Sequence, residues 1–313
     1  MNIIQGLNNM HNIPRGTVSA IGIFDGVHRG HLEIINRVVR RAKISKADSL
    51  VITFSPHPYK IIKPQSNPPL LISLRHRLLM LERLGIGYCL VIDFDHKFAE
   101  ISAQAFARDI LFEGLKTSAV YVGEDFRFGR DQVGDIDMLK LLSRDLGFEV
   151  IAVPHLKYRG RVISSSWIRQ EIKQGNLALV NKLLGRPLSI YGQVIKGDGR
   201  GKLLGFPTAN LNIEHEAIPP MGVYAAKVYL ENNVYSGLFN IGHRPTFVRK
   251  VKPETPLTIE VYLLDFEGSL YGEFLEVEFI KKIRPEKKFT KIPHLVKAMK
   301  DDALLARRIL SRL

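Results

Sequence analysis

Cysteine is almost absent: Cys89 is the only one in 313 residues. A single thiol closes no internal disulfide and builds no cysteine-rich metal cluster. Its surroundings, "YCLVIDF", are those of a buried strand, so a core thiol is expected rather than a nucleophile. A reducing, cytoplasmic location is the default that follows. No apolar run approaches the roughly 20 residues needed to span a bilayer, so no membrane partner is expected. The start, "MNIIQGLNNMHNIPRG", lacks the basic and apolar regions of a signal peptide. Internal repeats, low-complexity segments and a basic tail are missing too.

What the chain has in excess is positive charge, +14 net. Residues 1–184 carry 25 Lys and Arg against 17 Asp and Glu, the remainder 20 against 14, so the halves hold +8 and +6. That even spread leaves no dedicated arm, no basic stripe and no recognisable motif for nucleic acid, which is therefore not expected as a partner. A positive field concentrates anionic small molecules, although a solvated basic surface accounts for the charge equally well. The sequence sets no oligomeric state and is compatible with self-association.

Short apolar runs alternate with helical patterns through the first half. Strands are predicted at 18–24, 49–54, 88–94, 118–123 and 148–154. Helices are predicted at 31–43, 74–85, 102–115 (with Ser102 as N-cap) and 134–147. Continuous apolar strands separated by helices predict a parallel sheet covered on both faces. Ligands of such sheets sit at the carboxyl ends of the strands. Residues 24–31, 55–58 and 124–130 each follow a strand and should line that rim.

After about residue 185 the rhythm changes. "LSIYGQVIKG", "VYAAKVYL", "NVYSGLFNIG", "LTIEVYLLDF" and "FLEVEFIKKI" are strand candidates, with a hairpin turn in "LENNVY". They predict an antiparallel sheet or small barrel, closed by an amphipathic helix from about Ile292 to Leu310. The domain boundary is expected near "NKLLGRPLS", giving domains 1–184 and 185–313.

The first chemical feature is "GIFDGVHRGH", 22–31. His28 and His31 stand at a strand–turn–helix junction, where backbone N–H groups and the helix dipole point at a ligand. Gly22, Gly26 and Gly30 let that ligand approach the backbone. A metal needs further ligands, and His57 in "FSPHP" fits no metal spacing. A packing histidine is the bland alternative; two at one turn favour a polyphosphate. The second feature, "GDGRGKLLGFPTANL" (197–211), is glycine-rich and basic. It is not a Walker loop: Lys196 stands at the first glycine and Leu203 follows Lys202. A glycine-rich flap over phosphates suits the antiparallel context better.

"GIFDGVHRGH" resembles the HxGH signature of the nucleotidylyltransferase superfamily. With "TFSPHP", "GEDFRFG" and "ISSSWIR" in that order, the first half resembles the adenylyltransferase half of the bacterial bifunctional riboflavin kinase/FAD synthetase family. The resemblance implies a Rossmann-like α/β domain that binds ATP at Gly22, Phe24, Asp25, Gly26, Gly30, Ser164, Ser165 and Ser166. It implies that FMN phosphate attacks the α-phosphorus to give FAD and pyrophosphate. His28 and His31 would stabilise the phosphates, and Arg169 would fork onto the departing pyrophosphate. Asp125, Phe126 and Phe128 would contact the flavin, although two loop phenylalanines also suit a core. Two positions depart from the family pattern: Ile23 replaces Asn, and Ser55 replaces an acidic residue.

From 185 to 310 the chain resembles riboflavin kinase, through "PTAN", "NIGHRPTF", "IEVYLLDFEGSLYGEFLEVEF" and "IRPEKKF". The resemblance implies an antiparallel β-barrel with a C-terminal helix that phosphorylates riboflavin to FMN. Gly197, Gly199, Arg200, Gly201 and Lys202 would cover ATP, and Thr208 and Asn210 would hold Mg²⁺. Glu260 would be general base for the neutral 5′-hydroxyl, although a solvent-facing Glu on an alternating strand fits the local pattern too. Tyr262, where many members have His, shares its strand face. The expected small molecules are therefore riboflavin, FMN, FAD and ATP. A chain with only one working activity is the nearest alternative.

Overall fold

A computed structural model of the chain describes residues 1–197, 201, 204–214, 217–243 and 257–312. The chain divides into two compact units, Met1–Leu70 with Leu74–Ser165, and Leu71–Ser73 with Ser166–Leu313. The helices Ser165–Gln174 and Leu177–Leu184 thus group mainly with the second unit, although they precede residue 185.

In the first unit six strands form an all-parallel sheet: β1 Asn2–Gln5, β2 Val18–Ile21, β3 Ser49–Ser55, β4 Tyr88–Asp93, β5 Ala119–Gly123 and β6 Glu149–Val153. Their order is β1-β4-β3-β2-β5-β6. The predicted strands are all present, each within a few residues of its expected bounds. Leu50, Val51 and Ile52 on β3 and Cys89 to Ile92 on β4 have no exposed surface, as strands covered on both faces require. Within this sheet, strand β1 is the one that periodicity misses. It is four residues long at the sheet edge and mostly exposed, so no apolar pattern marks it.

Chain order reverses between β2 and β5, the topological switch point at which open α/β sheets bind ligands. The helix Arg29–Ser45 leaves that point and buries Ile34, Ile35, Val38 and Ala42 against the sheet. Ser102 caps its helix as predicted, accepting from the Ala105 N–H at 3.1 Å. That helix does not stay α: after Ala103–Ala105 it widens into a π-helix over Phe106–Gly114, with the Leu115 N–H donating to the Ile110 carbonyl. The buried set Phe106, Ala107, Ile110 and Leu111 suits either winding, so periodicity does not separate them. A short hairpin, β7 Lys157–Tyr158 with β8 Arg161–Val162, precedes the Ser164–Ser166 run.

In the second unit β9 Ser189–Ile195, β10 Ala209–Ile213, β11 Gly222–Leu230, β12 Asn233–His243, β13 Leu257–Leu263 and β14 Phe274–Arg284 close into an antiparallel barrel. The order is β10-β13-β12-β11-β14-β9. The interior holds Tyr224, Phe239 and Phe279 in edge-to-face contact. The closing helix spans Ile292–Leu310, as predicted. Its Ala306 and Leu310 cover the outward-facing Val223, Ala225 and Leu238. Arg284 at the end of β14 grips the buried Asp302 of this helix through Nε at 3.0 Å and Nη2 at 2.8 Å. Among the described residues no helix is long and apolar enough to cross a membrane.

Candidate active sites

The turn after β2 is tightly wound. The strand stops at Ile21 rather than Phe24, because Phe24 (φ 52°) and Val27 (φ 40°) adopt left-handed backbone. A β-branched residue there is strained, a condition that clusters at ligand sites. The Phe24 ring folds back over Gly22 and meets His31 edge-on at 5.3 Å. His28 is the N-cap of the Arg29–Ser45 helix, two residues earlier than the predicted helix start. Its Nδ1 accepts from the His31 N–H at 3.4 Å. The two imidazoles stack with centroids 3.6 Å apart. His31 Nδ1 is buried without a hydrogen-bond partner among the described residues. Burial, then the neighbouring His28 and Arg77, hold its pKa well below the ordinary histidine value.

A second segment closes on this turn. Ser165 donates through Oγ to the Asp25 carbonyl at 2.9 Å, and the Ile163 carbonyl lies beside Gly30. The structure thus brings Gly22, Phe24, Asp25, Gly26, His28, Gly30, His31 and Ser165 together, with the half-buried Ser164 next to Ser165 in the chain. Ser166 and Arg169 continue the Ser165–Gln174 helix within the second unit, exposed and half-buried respectively.

Two residues to which the sequence assigns no role lie behind the turn. Thr53 on β3 donates from Oγ1 to the Ile23 carbonyl at 3.2 Å, and Arg77 donates from Nη1 to Thr53 Oγ1 at 2.9 Å. Arg77 is 2% exposed, although it is one of three arginines in the helix predicted at 74–85. Nothing local signals that this arginine points inward.

The loop after β5 divides its aromatic residues. Phe128 belongs to the core and packs on Phe106 at 5.7 Å. Phe126 stacks on Phe128 at 5.5 Å and stays partly open. Asp125 is exposed, 3.4 Å from Nε2 of His155, a rim residue after β6 that the sequence reading passes over. His57 spends Nδ1 on capping, accepting from the Tyr59 N–H at 3.1 Å. Among the described residues no group of three or more His, Cys, Asp or Glu is placed to hold a metal. Cys89 is fully buried and its pKa is pushed up to about 12, the inert core thiol that was expected.

In the barrel, Asn210 on β10 pairs in register with Glu260 on β13, which pairs with Asn240 on β12. The three side chains form a row on the outer face. Tyr262 shares that face and meets the Phe206 ring at 5.4 Å. Two glycines of the 197–211 segment, Gly197 and Gly201, are hemmed in so closely that side chains are excluded. A Cβ on Gly201 would lie 2.9 Å from Thr208 Oγ1 and against the Phe206 carbonyl, and one on Gly197 would strike the Asn210 amide. Gly199, Arg200 and Lys202, and residues 244–247 of "NIGHRPTF", lie outside the described residues. Further along β12, the Glu286 carboxyl carbon would be 3.0 Å from a Cβ on Gly242. Next to Glu286 in the chain, a cleft of about 320 Å³ is lined by Lys287, Lys288, Phe289, His294 and Lys297, among others.

Comparison with known proteins agrees with this geometry. A family model described as FAD synthetase matches residues 10–167, and one described as riboflavin kinase matches residues 184–310. The bifunctional riboflavin kinase/FMN adenylyltransferase of Escherichia coli K12 is 37% identical over 309 residues, 98% of this chain and 97% of that protein. That of Bacillus subtilis strain 168 is 38% identical over 301 residues, 95% and 93% of the two chains. A crystal structure described as a macrolide-efflux protein from Streptococcus pneumoniae superposes with a TM-score of 0.81 at 31% identity, covering 98% of this chain and 99% of that one.

Proposed function

The chain belongs to the bifunctional riboflavin kinase/FMN adenylyltransferase family, and from that premise we propose how its residues divide two reactions between two places. The C-terminal domain converts riboflavin and ATP to FMN and ADP. The N-terminal domain converts FMN and ATP to FAD and pyrophosphate. We take 1–184 as the adenylyltransferase domain and 185–313 as the kinase domain; the matched family segments end at 167 and begin at 184.

In adenylyl transfer, a phosphate oxygen of FMN attacks the α-phosphorus of ATP. The new P–O bond forms as the bond from the α-phosphorus to the bridging oxygen breaks. That nucleophile is already anionic, so positioning and charge stabilisation suffice. The stacked His28–His31 pair at the helix start is the observation that carries this reading. The imidazoles, the helix N–H groups and the Gly22, Gly26 and Gly30 backbone receive the phosphates, with Phe24 and Asp25 shaping the turn. Ser164, Ser165 and Ser166 donate to them, and Arg169 takes the departing pyrophosphate as a bidentate pair. The flavin meets the open edge of the Phe126–Phe128 stack, with Asp125 as acceptor.

In the kinase reaction the nucleophile is the neutral 5′-hydroxyl of riboflavin. Its proton passes to Glu260 as the oxygen attacks the γ-phosphorus and ADP leaves. Support comes from the Asn210–Glu260–Asn240 row, with Gly197 against Asn210. Gly197, Gly199, Arg200, Gly201 and Lys202 cover the ATP phosphates. The Thr208 hydroxyl and Asn210 amide oxygen are neutral hard donors, a set that fits Mg²⁺. When bound there, the metal would neutralise charge between the ATP phosphates. The cleft beside Glu286 joins an aromatic ring to several cations, and it suits the flavin ring.

We also take the chain to be cytoplasmic, which suits its single reduced thiol. Its partners are riboflavin, FMN, FAD and ATP, without nucleic acid. One experiment tests the whole: incubation with riboflavin, ATP and Mg²⁺, followed by chromatographic separation of the flavins. FMN and FAD together are expected. FMN alone would mean a silent first domain, and neither product with oxidised or reduced flavin would sink the reading.

A further inference from the structure

Arg77 is a buried charge in search of a reason. Its side chain is inside the first unit, and burial lowers its pKa from the usual arginine value. A guanidinium stays charged in a protein, and burying one is costly unless it is paired. Among the described residues no carboxylate forms a salt bridge with it. Nη1 donates to Thr53 Oγ1 at 2.9 Å and approaches the Phe54 carbonyl at 3.4 Å, while Nε has no partner.

The direction of the link is fixed by chemistry. Arginine only donates, so Thr53 Oγ1 accepts from Nη1 and spends its one proton on the Ile23 carbonyl. A charged donor polarises that hydroxyl and strengthens the second bond. Ile23 opens the strained turn between Gly22 and Phe24, and its side chain offers no polar contact. Its carbonyl is therefore the handle by which the sheet holds the turn.

We propose that Arg77 is a positioning residue for adenylyl transfer: through Thr53 it anchors the Ile23 carbonyl and so fixes the turn that receives the phosphates. The inference rests on the turn's being the nucleotide site. The Arg77–Thr53–Ile23 chain of hydrogen bonds that carries it runs from the Leu74–Arg83 helix through β3 to the turn.

The test uses the full chain, measuring FAD formation from FMN and ATP, with FMN formation from riboflavin as internal control. For Arg77→Met, kcat for FAD formation is expected to fall on the order of 10²-fold, the scale of a roughly 1 Å misplacement. KM for ATP should change far less. Arg77→Lys, which keeps a charged donor without the planar fork, should recover part of kcat. Thr53→Val should lower kcat likewise. A folded Arg77→Met that kept kcat within twofold would overturn the proposal. If that variant does not fold, Thr53→Val decides, and unchanged FAD formation would overturn the anchoring role. Failure of the underlying site reading has a separate signature: His31→Ala would then leave FAD formation intact.

Discussion

The parallel-sheet site and the barrel site face the same task, placing an oxygen nucleophile against a phosphorus of ATP, and they are built by different means. The first is one continuous turn at the end of β2, with its two imidazoles three residues apart on a helix start. The second is a row across three strands, with Asn210, Glu260 and Asn240 drawn from distant parts of the chain. In the proposed division the difference follows the nucleophile. An FMN phosphate arrives charged and calls for donors and positive potential. A riboflavin hydroxyl arrives neutral and calls for a carboxylate to take its proton, the role proposed for Glu260.

The sharpest way to break this comparison is Glu260→Gln. FMN formation should fall by about 10³-fold, within the range for removing a general base. FAD formation from added FMN should remain. His31→Ala should do the reverse, lowering FAD formation on the order of 10²-fold while FMN formation persists. Either variant losing both activities while staying folded would collapse the two sites into one. The scaffolds themselves should separate next. Asp302→Ala removes the buried partner of the partly exposed Arg284 and loosens the closing helix, costing about 2 kcal/mol in the barrel. Thermal inactivation of FMN formation should come earlier, with that of FAD formation moved less.

The smallest effect concerns acid. The folded chain holds His31 well below its ordinary pKa, so near and below pH about 6.5 the unfolded chain binds more protons at this residue. Its contribution to stability is present above that pH and is lost as pH falls. Urea midpoints at about pH 7.5 and about pH 5.5 should converge in His31→Phe relative to the unsubstituted chain. An equal loss in both would remove His31 from the account.

Most of the fold was legible because both halves advertise it locally. Continuous apolar strands between helices imply a covered parallel sheet, and alternating Ile259, Val261 and Leu263 imply a one-sided barrel strand. The edge strand β1 escaped notice because exposure erases the pattern. The π-helical stretch 106–114 escaped because winding by one extra residue leaves the same residues buried. Among the candidate site residues, motifs mark the histidine turn, the glycine-rich segment and Glu260, and their roles are the ones proposed above. His155 and Arg77 are unmarked, since a histidine after a strand and an arginine in an amphipathic helix look like surface residues.

By itself the sequence determined where each reactive group stands in the chain and what it can do. A strand–turn–helix is a local object, so "GIFDGVHRGH" carries its own cap, dipole and imidazole pair. Tertiary structure decided what lies behind and across from those groups. Parallel pairing of β3 with β2 puts Thr53 under Ile23, and packing of the Leu74–Arg83 helix turns Arg77 inward. Barrel closure lines up Asn210, Glu260 and Asn240. The physical reason is range: capping and turn strain act over a few residues, whereas burial of a charge and strand register are set by whichever segment the folded chain brings alongside.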